Sequence, residues 1–128
     1  MKNYLFDQVR ARSEGAQRPF ILEPGANGAA DRIITYGDMA ALSARLAQAL
    51  VSRGVRPGDR VAAQVDKSAE AILLYLACIR AGAIWLPLNP AYTLAELEYF
   101  LADAEPAMLV CGPERAEAIG TLLAARPF

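Results

Sequence analysis

The chain has 128 residues, of which 55 % are hydrophobic and 21 % charged, and its net charge is −1. This composition predicts one soluble domain that can bury a core without disulfides or metal ions, and it argues against nucleic-acid binding. Because the sequence has no histidine, the commonest general base, the usual zinc ligand and every Ser-His or Cys-His catalytic pair are excluded.

The first dozen residues predict a short helix, because Leu5, Phe6 and Val9 fall on one helical face. The charges scattered through residues 1–15 exclude a secretory signal, which needs an uninterrupted apolar region. A turn-rich stretch follows at 13–18. Two apolar runs, at 19–22 and 32–36, flank a segment rich in glycine, proline and asparagine, so we predict a loose β-hairpin.

The next helix is predicted to begin at Thr35, because Asp38 lies three residues later and completes a pattern typical of a capping box. Gly54 and Pro57 are expected to end this helix. Between these limits apolar residues recur at helical spacing, at Met39, Leu42, Leu46 and Leu50.

Strand and helix patterns then alternate. The apolar run 60–65 predicts a strand, after which Ser68 caps a helix that continues to Ile79 and stops at Gly82. This helix is apolar nearly all round, which predicts burial on most sides. A second apolar strand is predicted at 83–88.

A further helix begins at a second capping box, formed by Thr93 and Glu96, and runs to about Ala104. Tyr92 and Leu97 are placed to form the hydrophobic staple that fixes the entry of such a helix. A third strand is predicted at 107–111.

The final segment turns at Gly112 and Pro113, and a helical pattern begins at Glu114 and is still in period at residue 128. Three strands alternating with helices predict an α/β fold whose parallel sheet has right-handed crossovers. The strands are continuous apolar runs, which is typical of a sheet covered by helices on both faces. A sheet of three parallel strands is small, so we expect the chain to be a fragment of a longer protein.

Residues 71–88 form an apolar block whose length approaches that of a membrane-spanning helix. Arg80 lies near its centre, where a charge costs about 2.5–3.5 kcal/mol on insertion scales. Gly82 and Pro87 also interrupt the helical period, so we predict two short buried elements instead of a membrane span.

Few residues of the chain are candidates for chemistry. The glycine-containing stretches 23–28 and 54–59 do not lie between a strand and a helix with phosphate-loop spacing, and we interpret them as turns. Asp66, Lys67 and Ser68 follow a strand and open a helix, where α/β proteins often bind ligands. No charged partner is evident nearby, so helix capping and a solvated lysine are the favoured interpretation.

Other polar and aromatic residues have structural interpretations. Glu96 and Glu98 are two residues apart on a helix and do not face each other, which argues against a catalytic carboxylate pair. Trp85 and Tyr92 could form an aromatic platform, but core and staple roles are favoured. The two cysteines, Cys78 and Cys111, lie in apolar runs and fit reduced core residues better than a disulfide or metal site. We therefore assign no catalytic, cofactor-binding or metal-ligating residue.

Three segments carry a family resemblance. The stretch "ITYGDM" (34–39) resembles a motif near the start of adenylate-forming enzymes, of the form L-[TS]-Y-x-E-L. The stretch "IRAGAIWLPLNP" (79–90) resembles their second core motif, and "GVRPGDRVA" (54–62) matches a segment typical of the same superfamily. The chain is thus identified as a member of the AMP-dependent synthetase and ligase superfamily. Within it, residues 67–111 are most similar to malonyl-CoA synthetases.

The resemblance implies part of the large N-terminal domain of an acyl-CoA synthetase that uses ATP, Mg²⁺ and CoA on a small carboxylic acid in the cytoplasm. It also implies that the phosphate loop, the acidic magnesium ligand and the C-terminal lid with its lysine lie beyond residue 128. The fragment would then bind no cofactor, be inactive and self-associate through exposed apolar surface. Ligases for fatty or aromatic acids, such as coumarate, are alternatives, and so is a free-standing α/β binding module.

Overall fold

A computed structural model of the chain describes residues 3–13 and 16–125. Its elements, in chain order, are α1 (Tyr4–Ala11), β1 (Pro19–Glu23), β2 (Arg32–Thr35), α2 (Tyr36–Ser52), β3 (Arg60–Gln64), α3 (Ala69–Ala81), β4 (Ile84–Pro87), α4 (Leu94–Ala104), β5 (Met108–Cys111) and α5 (Ala116–Ala125). A 3₁₀ turn (Pro113–Arg115) precedes α5. Parts of the predicted turn at 13–18 and the last three residues of the final helical pattern lie outside the described residues.

Helix starts follow the capping predictions. The Thr35 hydroxyl accepts from the backbone N–H of Asp38 at 3.1 Å, and the Asp38 carboxylate accepts from the N–H of Thr35 at 3.0 Å. Thr93 and Glu96 form the same reciprocal pair at the start of α4. Both capping boxes are therefore confirmed. Tyr36, which was predicted to end β2, is the first residue of α2, because its predecessor Thr35 is the cap.

The predicted hairpin is confirmed as an antiparallel pair of β1 and β2, with an irregular register between Pro19 and Ile21. A carboxylate from this hairpin reaches α3: Glu23 accepts from the N–H of Ala69 at 3.1 Å. Arg32 forms ion pairs with Glu23 at 3.1 Å and with Glu70 at 2.7 Å. These contacts attach the hairpin to the N-terminal end of α3.

The predicted parallel sheet is confirmed, with strand order β4-β3-β5. Val61 and Ala63 of β3 pack with residues of α2 and α3 on one face. Ala62, between them in sequence, packs with Leu97 of α4 and Ile119 of α5 on the other face. Helices therefore cover both faces of the sheet, as the continuous apolar strands predicted.

A third apolar cluster lies outside the α2–α3 layer, where α1 and the hairpin pack against α3. Its buried members are Phe6, Ile34, Met39, Ala69, Leu73, Leu76 and Ile79. With this cluster on one side and the sheet on the other, α3 is buried on most of its surface, as predicted.

The apolar block at 71–88 is divided between α3 and β4, as predicted. Gly82 makes the division: its φ of 75° is left-handed, and an added Cβ would meet the Pro57 side chain at 3.2 Å. A side chain would therefore be disfavoured here both by backbone conformation and by close packing. Within residues 3–13 and 16–125, no helix has the length and apolar character needed to cross a membrane.

Removal of the α4 cap provides a test of its structural role. We expect Thr93→Ala to lower the free energy of unfolding by about 0.5–2 kcal/mol, because an orphan N–H at the helix start loses its acceptor. Thr93→Ser, which keeps the hydroxyl, is the matched control and should stay near wild type in urea denaturation. Unchanged stability combined with lost turnover in the intact protein would contradict a purely structural role.

The same cap predicts acid sensitivity. The N–H and hydroxyl of Thr93 donate to the Glu96 carboxylate and lower its pKa in the folded state. Stability from this contact is present above the glutamate pKa of the unfolded chain, about 4.3, and is lost as the pH falls through the lower folded pKa. We therefore expect Glu96→Gln to flatten the decline of stability in acid, measured by urea denaturation from neutral pH to pH ~2.5.

The control for this measurement is Asp103→Asn, which removes an exposed carboxylate from the same helix. This variant should retain the wild-type acid decline. An equally flat curve for both variants would show that general charge loss, and not the capping box, causes the effect.

Candidate functional site

The carboxyl edge of the parallel sheet is the candidate site, because ligands in open α/β sheets bind outside the carboxyl ends of the strands. Strands β3, β4 and β5 end there at Gln64, Pro87 and Cys111. The segments that follow them, 65–68, 88–93 and 112–115, therefore lie along one edge. Two polar side chains at this edge, one at the end of β3 and one in the segment after β5, were not assigned from the sequence.

Gln64 is the first of these groups. Its side chain is 2 % exposed, and its amide Nε2 donates to the backbone carbonyl of Asn89 at 2.9 Å. Its Oε1 is also buried and has no hydrogen-bond partner among the described residues. A buried amide of this kind is costly unless it is hydrogen-bonded, so the contact with Asn89 is a strong local constraint.

Arg115 is the second group. Its Nη1 donates to the carbonyl of Pro90 at 2.6 Å, and its Nη2 donates to the carbonyl of Tyr92 at 3.0 Å. Within the loop, Asn89 Oδ1 accepts from the N–H of Ala91 at 2.9 Å. Side chains from two other segments thus hold three carbonyls of the loop 89–92, which begins within the segment that resembles the second core motif.

Sequence reasoning did not single out either side chain. Gln64 had one signal, since it is a polar residue inside an apolar strand pattern and must find a buried partner. Arg115 had none, because its acceptors are backbone carbonyls 25 and 23 residues away.

Lys67 and Ser68 lie where the sequence placed them, between β3 and α3. Ser68 Oγ accepts from the N–H of Ala71 at 3.1 Å, so its predicted cap is confirmed. Lys67 is exposed and forms no ion pair within the described residues. Both residues border an open, mostly apolar groove of 410 Å³ whose other walls include Tyr75 and Trp85. The structure therefore does not bring a second charged group to Lys67.

The two glycine-containing stretches are turns in which several backbone N–H groups donate to protein acceptors. In the first, the N–H of Gly25 donates to Asp31 Oδ1 at 3.0 Å. In the second, the N–H of Arg56 donates to Asp59 Oδ2 at 2.8 Å, and that of Gly58 donates to the Gly82 carbonyl at 2.9 Å. Backbone donors that already have protein acceptors do not form a phosphate cradle.

The aromatic candidates pack against other rings. Trp85 is half-buried and meets Tyr75 edge to face, with ring centroids 6.0 Å apart. Tyr92 stacks on Phe100 at 4.8 Å and packs against the cluster that contains Leu97, which agrees with the staple prediction. These positions agree with the favoured core and staple roles.

The titratable candidates are also in structural roles. Burial raises the pKa of the Cys78 thiol to about 11, so it stays protonated at neutral pH and is a poor nucleophile. Cys111 is a half-buried free thiol beside the α4–α5 layer. Glu96 is engaged in the cap, and Glu98 faces a different direction on the helix.

No group of three or more Asp, Glu or Cys side chains within the described part of the chain could hold a metal ion. The described residues therefore do not by themselves form a magnesium site. That no residue here has a catalytic role remains a prediction.

Comparison with known proteins identifies the family to which this chain is similar. A family model described as AMP-binding enzyme matches residues 8–127. A feruloyl-CoA synthase from an Amycolatopsis species is 40 % identical over 93 residues, which cover 73 % of this chain and 19 % of that protein.

Solved structures are similar over nearly the whole chain. The ATP-bound MatB from Rhodopseudomonas palustris is 44 % identical, with a TM-score of 0.80 over 98 % of this chain and 24 % of that one. A Mycobacterium tuberculosis fatty acyl CoA synthetase is 26 % identical, with a TM-score of 0.81 over 98 % of this chain and 24 % of that chain. This chain thus spans about a quarter of either structure, and it belongs to the AMP-binding enzyme family.

Proposed function

We propose that this chain is part of the N-terminal domain of an ATP-dependent acid–CoA ligase that works in the cytoplasm. The family match over residues 8–127 carries the proposal. In this proposal, residues 1–128 form a partial domain, and the nucleotide-binding remainder and the C-terminal lid belong to the rest of the protein.

The proposed reaction has two steps. A carboxylate oxygen of the acid attacks the α-phosphorus of ATP, which forms an acyl-adenylate and releases pyrophosphate. The thiolate of CoA then attacks the acyl carbon and displaces AMP, and the thiol proton passes to solvent. Phosphoryl transfer of this kind depends on positioned cations, backbone donors and Mg²⁺.

The described residues contribute to this reaction as a scaffold. Gln64 and Arg115 fix the loop 89–92 at the carboxyl edge of the sheet, where the remainder of such a domain would build its site. Because Lys67 is the one cation among the described residues that line its groove, we assign the phosphate contacts to residues outside this chain. The isolated chain is therefore proposed to be inactive.

We propose malonate as the acid. The resemblance of residues 67–111 to malonyl-CoA synthetases supports this choice, and so does the 44 % identity to MatB. Malonate carries a second carboxylate, so its pocket must contain a cation for the distal group. Aromatic or fatty acids are the alternative, favoured by the similarity to the feruloyl-CoA and fatty acyl CoA synthetases, and their pockets would be apolar.

Pyrophosphate release tests both parts of the proposal. With ATP, Mg²⁺ and CoA, we expect the intact protein to turn over malonate faster than acetate, octanoate, coumarate or ferulate. The 128-residue chain should release no pyrophosphate with any of them, because it does not assemble a phosphate site. Turnover by the isolated chain would contradict the scaffold role, and a preference for octanoate or ferulate would replace malonate.

The isolated chain is also expected to self-associate. Large apolar side chains on its surface include Leu22, Ile33, Val51, Ile72 and Ile84, each more than 40 % exposed. Exposed apolar patches promote association when nothing covers them. Light scattering should therefore detect dimers or larger species, and a monodisperse monomer at high concentration that binds no hydrophobic dye would contradict this expectation.

A further inference from the structure

A groove beside α1 combines apolar walls with two arginines that have no counter-charge there. We propose that this groove binds an amphiphilic carboxylate, which has one carboxylate group on an aliphatic chain, as a fatty acid does. The site is separate from the carboxyl edge of the sheet, because none of the described residues that line it belongs to β3, β4, β5 or the segments that follow them. The inference therefore goes beyond the proposed function and does not rest on it.

The groove, which we name the α1 groove, has a volume of 530 Å³. Its walls include Leu5, Val9 and Arg12 from α1, and Arg18, Phe20 and Tyr36 from the chain that follows. Sites for small molecules have volumes of about 300–1,000 Å³ and are mostly apolar, with a few polar groups that fix the orientation of the ligand. The α1 groove has this size and this composition.

The two arginines of the α1 groove are exposed and have no anionic partner. Neither the Arg12 nor the Arg18 guanidinium forms an ion pair or a side-chain hydrogen bond within residues 3–13 and 16–125. The described residues that line the groove include no aspartate or glutamate. Two positive charges thus lack a counter-charge in these walls, and electrostatic complementarity favours an anionic occupant.

Arg18 is held in a defined position. Its backbone carbonyl accepts from the N–H of Tyr36 at 3.0 Å, and its guanidinium lies over the Tyr36 ring, 5.1 Å from the centroid. Phe20 meets the same ring edge to face, with centroids 5.1 Å apart. Because stacking uses the face of the guanidinium, the N–H groups along its edge can donate as a fork to a planar carboxylate. A donor that is already ordered loses less entropy when the ligand binds.

The apolar part of the α1 groove accounts for the aliphatic chain. Leu5 is 50 % exposed, and Val9 is its neighbour four residues later on the same face of α1, so the two side chains form a continuous apolar strip. A hydrocarbon chain laid along this strip and against Phe20 would remove apolar surface from water, which is favourable. An inorganic anion would leave the strip exposed, so the groove requires both a charged head and a chain.

Calorimetric titration of the intact protein with decanoate tests the proposal. We expect saturable binding, and at least about tenfold weaker binding of decan-1-ol, which lacks the charge, and of acetate, which lacks the chain. Equal affinity for decanoate and decan-1-ol would contradict a role for the arginines. Absence of decanoate binding would overturn the proposal and would indicate that the rest of the intact protein covers the groove.

Matched substitutions assign the binding to the α1 groove. Arg18→Gln and Arg12→Gln should each weaken decanoate binding at least about tenfold, because each removes a charged donor. Arg12 has no side-chain contact to lose within the described part of the chain, so its variant guards against a folding effect. Arg56→Gln removes the same charge from an exposed position outside the groove and should bind decanoate as the wild type does. Equal affinities in all three variants would overturn the assignment.

A second pair of variants tests the apolar strip. Leu5→Gln should weaken decanoate binding at least about fivefold, because part of the chain loses its apolar partner. Leu22→Gln changes a side chain of similar exposure, 56 %, that does not line the groove, and should have no effect. An equal loss in both variants would indicate non-specific binding to exposed apolar surface and would contradict the proposal.

Photolabelling separates this site from the substrate site of the proposed ligase. Decanoate with a diazirine at the end of its chain should label peptides from α1 or β1, and Arg18→Gln should abolish this label while pyrophosphate release with the preferred acid stays unchanged. Labelling confined to other segments of the intact protein would overturn this inference and leave the proposed function untouched. Absence of pyrophosphate release with every acid, together with labelling of α1, would refute only the proposed function.

Discussion

Burial of the central strand β3 between two helical layers is the constraint on which the other elements depend. Val61, Ala62 and Ala63 are at most 2 % exposed, and they face alternate layers. Alanine side chains let helices approach the sheet closely, and alanines from α2 and α3 meet Ala63 in the same cluster. The strand must therefore be apolar on both faces, which explains why it reads as a continuous apolar run.

The features that the sequence predicted well are local. A capping box requires two side chains three residues apart, so Thr35–Asp38 and Thr93–Glu96 could be identified without knowledge of the fold. The end of α3 was equally local, because Gly82 adopts the left-handed conformation that few other residues accept. The predicted end of β2 differs from the observed one by a single residue, because Tyr36 fits both the apolar strand pattern and the first turn of α2.

The features that the sequence did not predict join distant segments. Gln64 and Asn89 are 25 residues apart, and Glu23 reaches the start of α3 across 46 residues. Each of these side chains bonds to a backbone group, so the local sequence does not reveal the partner, although a glutamine inside an apolar strand signals that a buried partner must exist. The strand order could not be predicted for a related reason. The sequence allows β5 to pair with either β4 or β3, and the choice depends on which face of the sheet α3 and α4 each cover.

The two edges of the sheet show how one strand pattern leads to different surfaces. At β4, Pro87 removes a backbone donor, and the adjoining groove is lined by Tyr75 and Trp85 with Lys67 at its rim. Proline on the open edge interrupts the row of backbone donors that a neighbouring strand would use. At β5 all four residues keep a backbone N–H. The loop 89–92, which Gln64 and Arg115 hold in place, lies at the carboxyl edge of the sheet, where open α/β sheets bind their ligands.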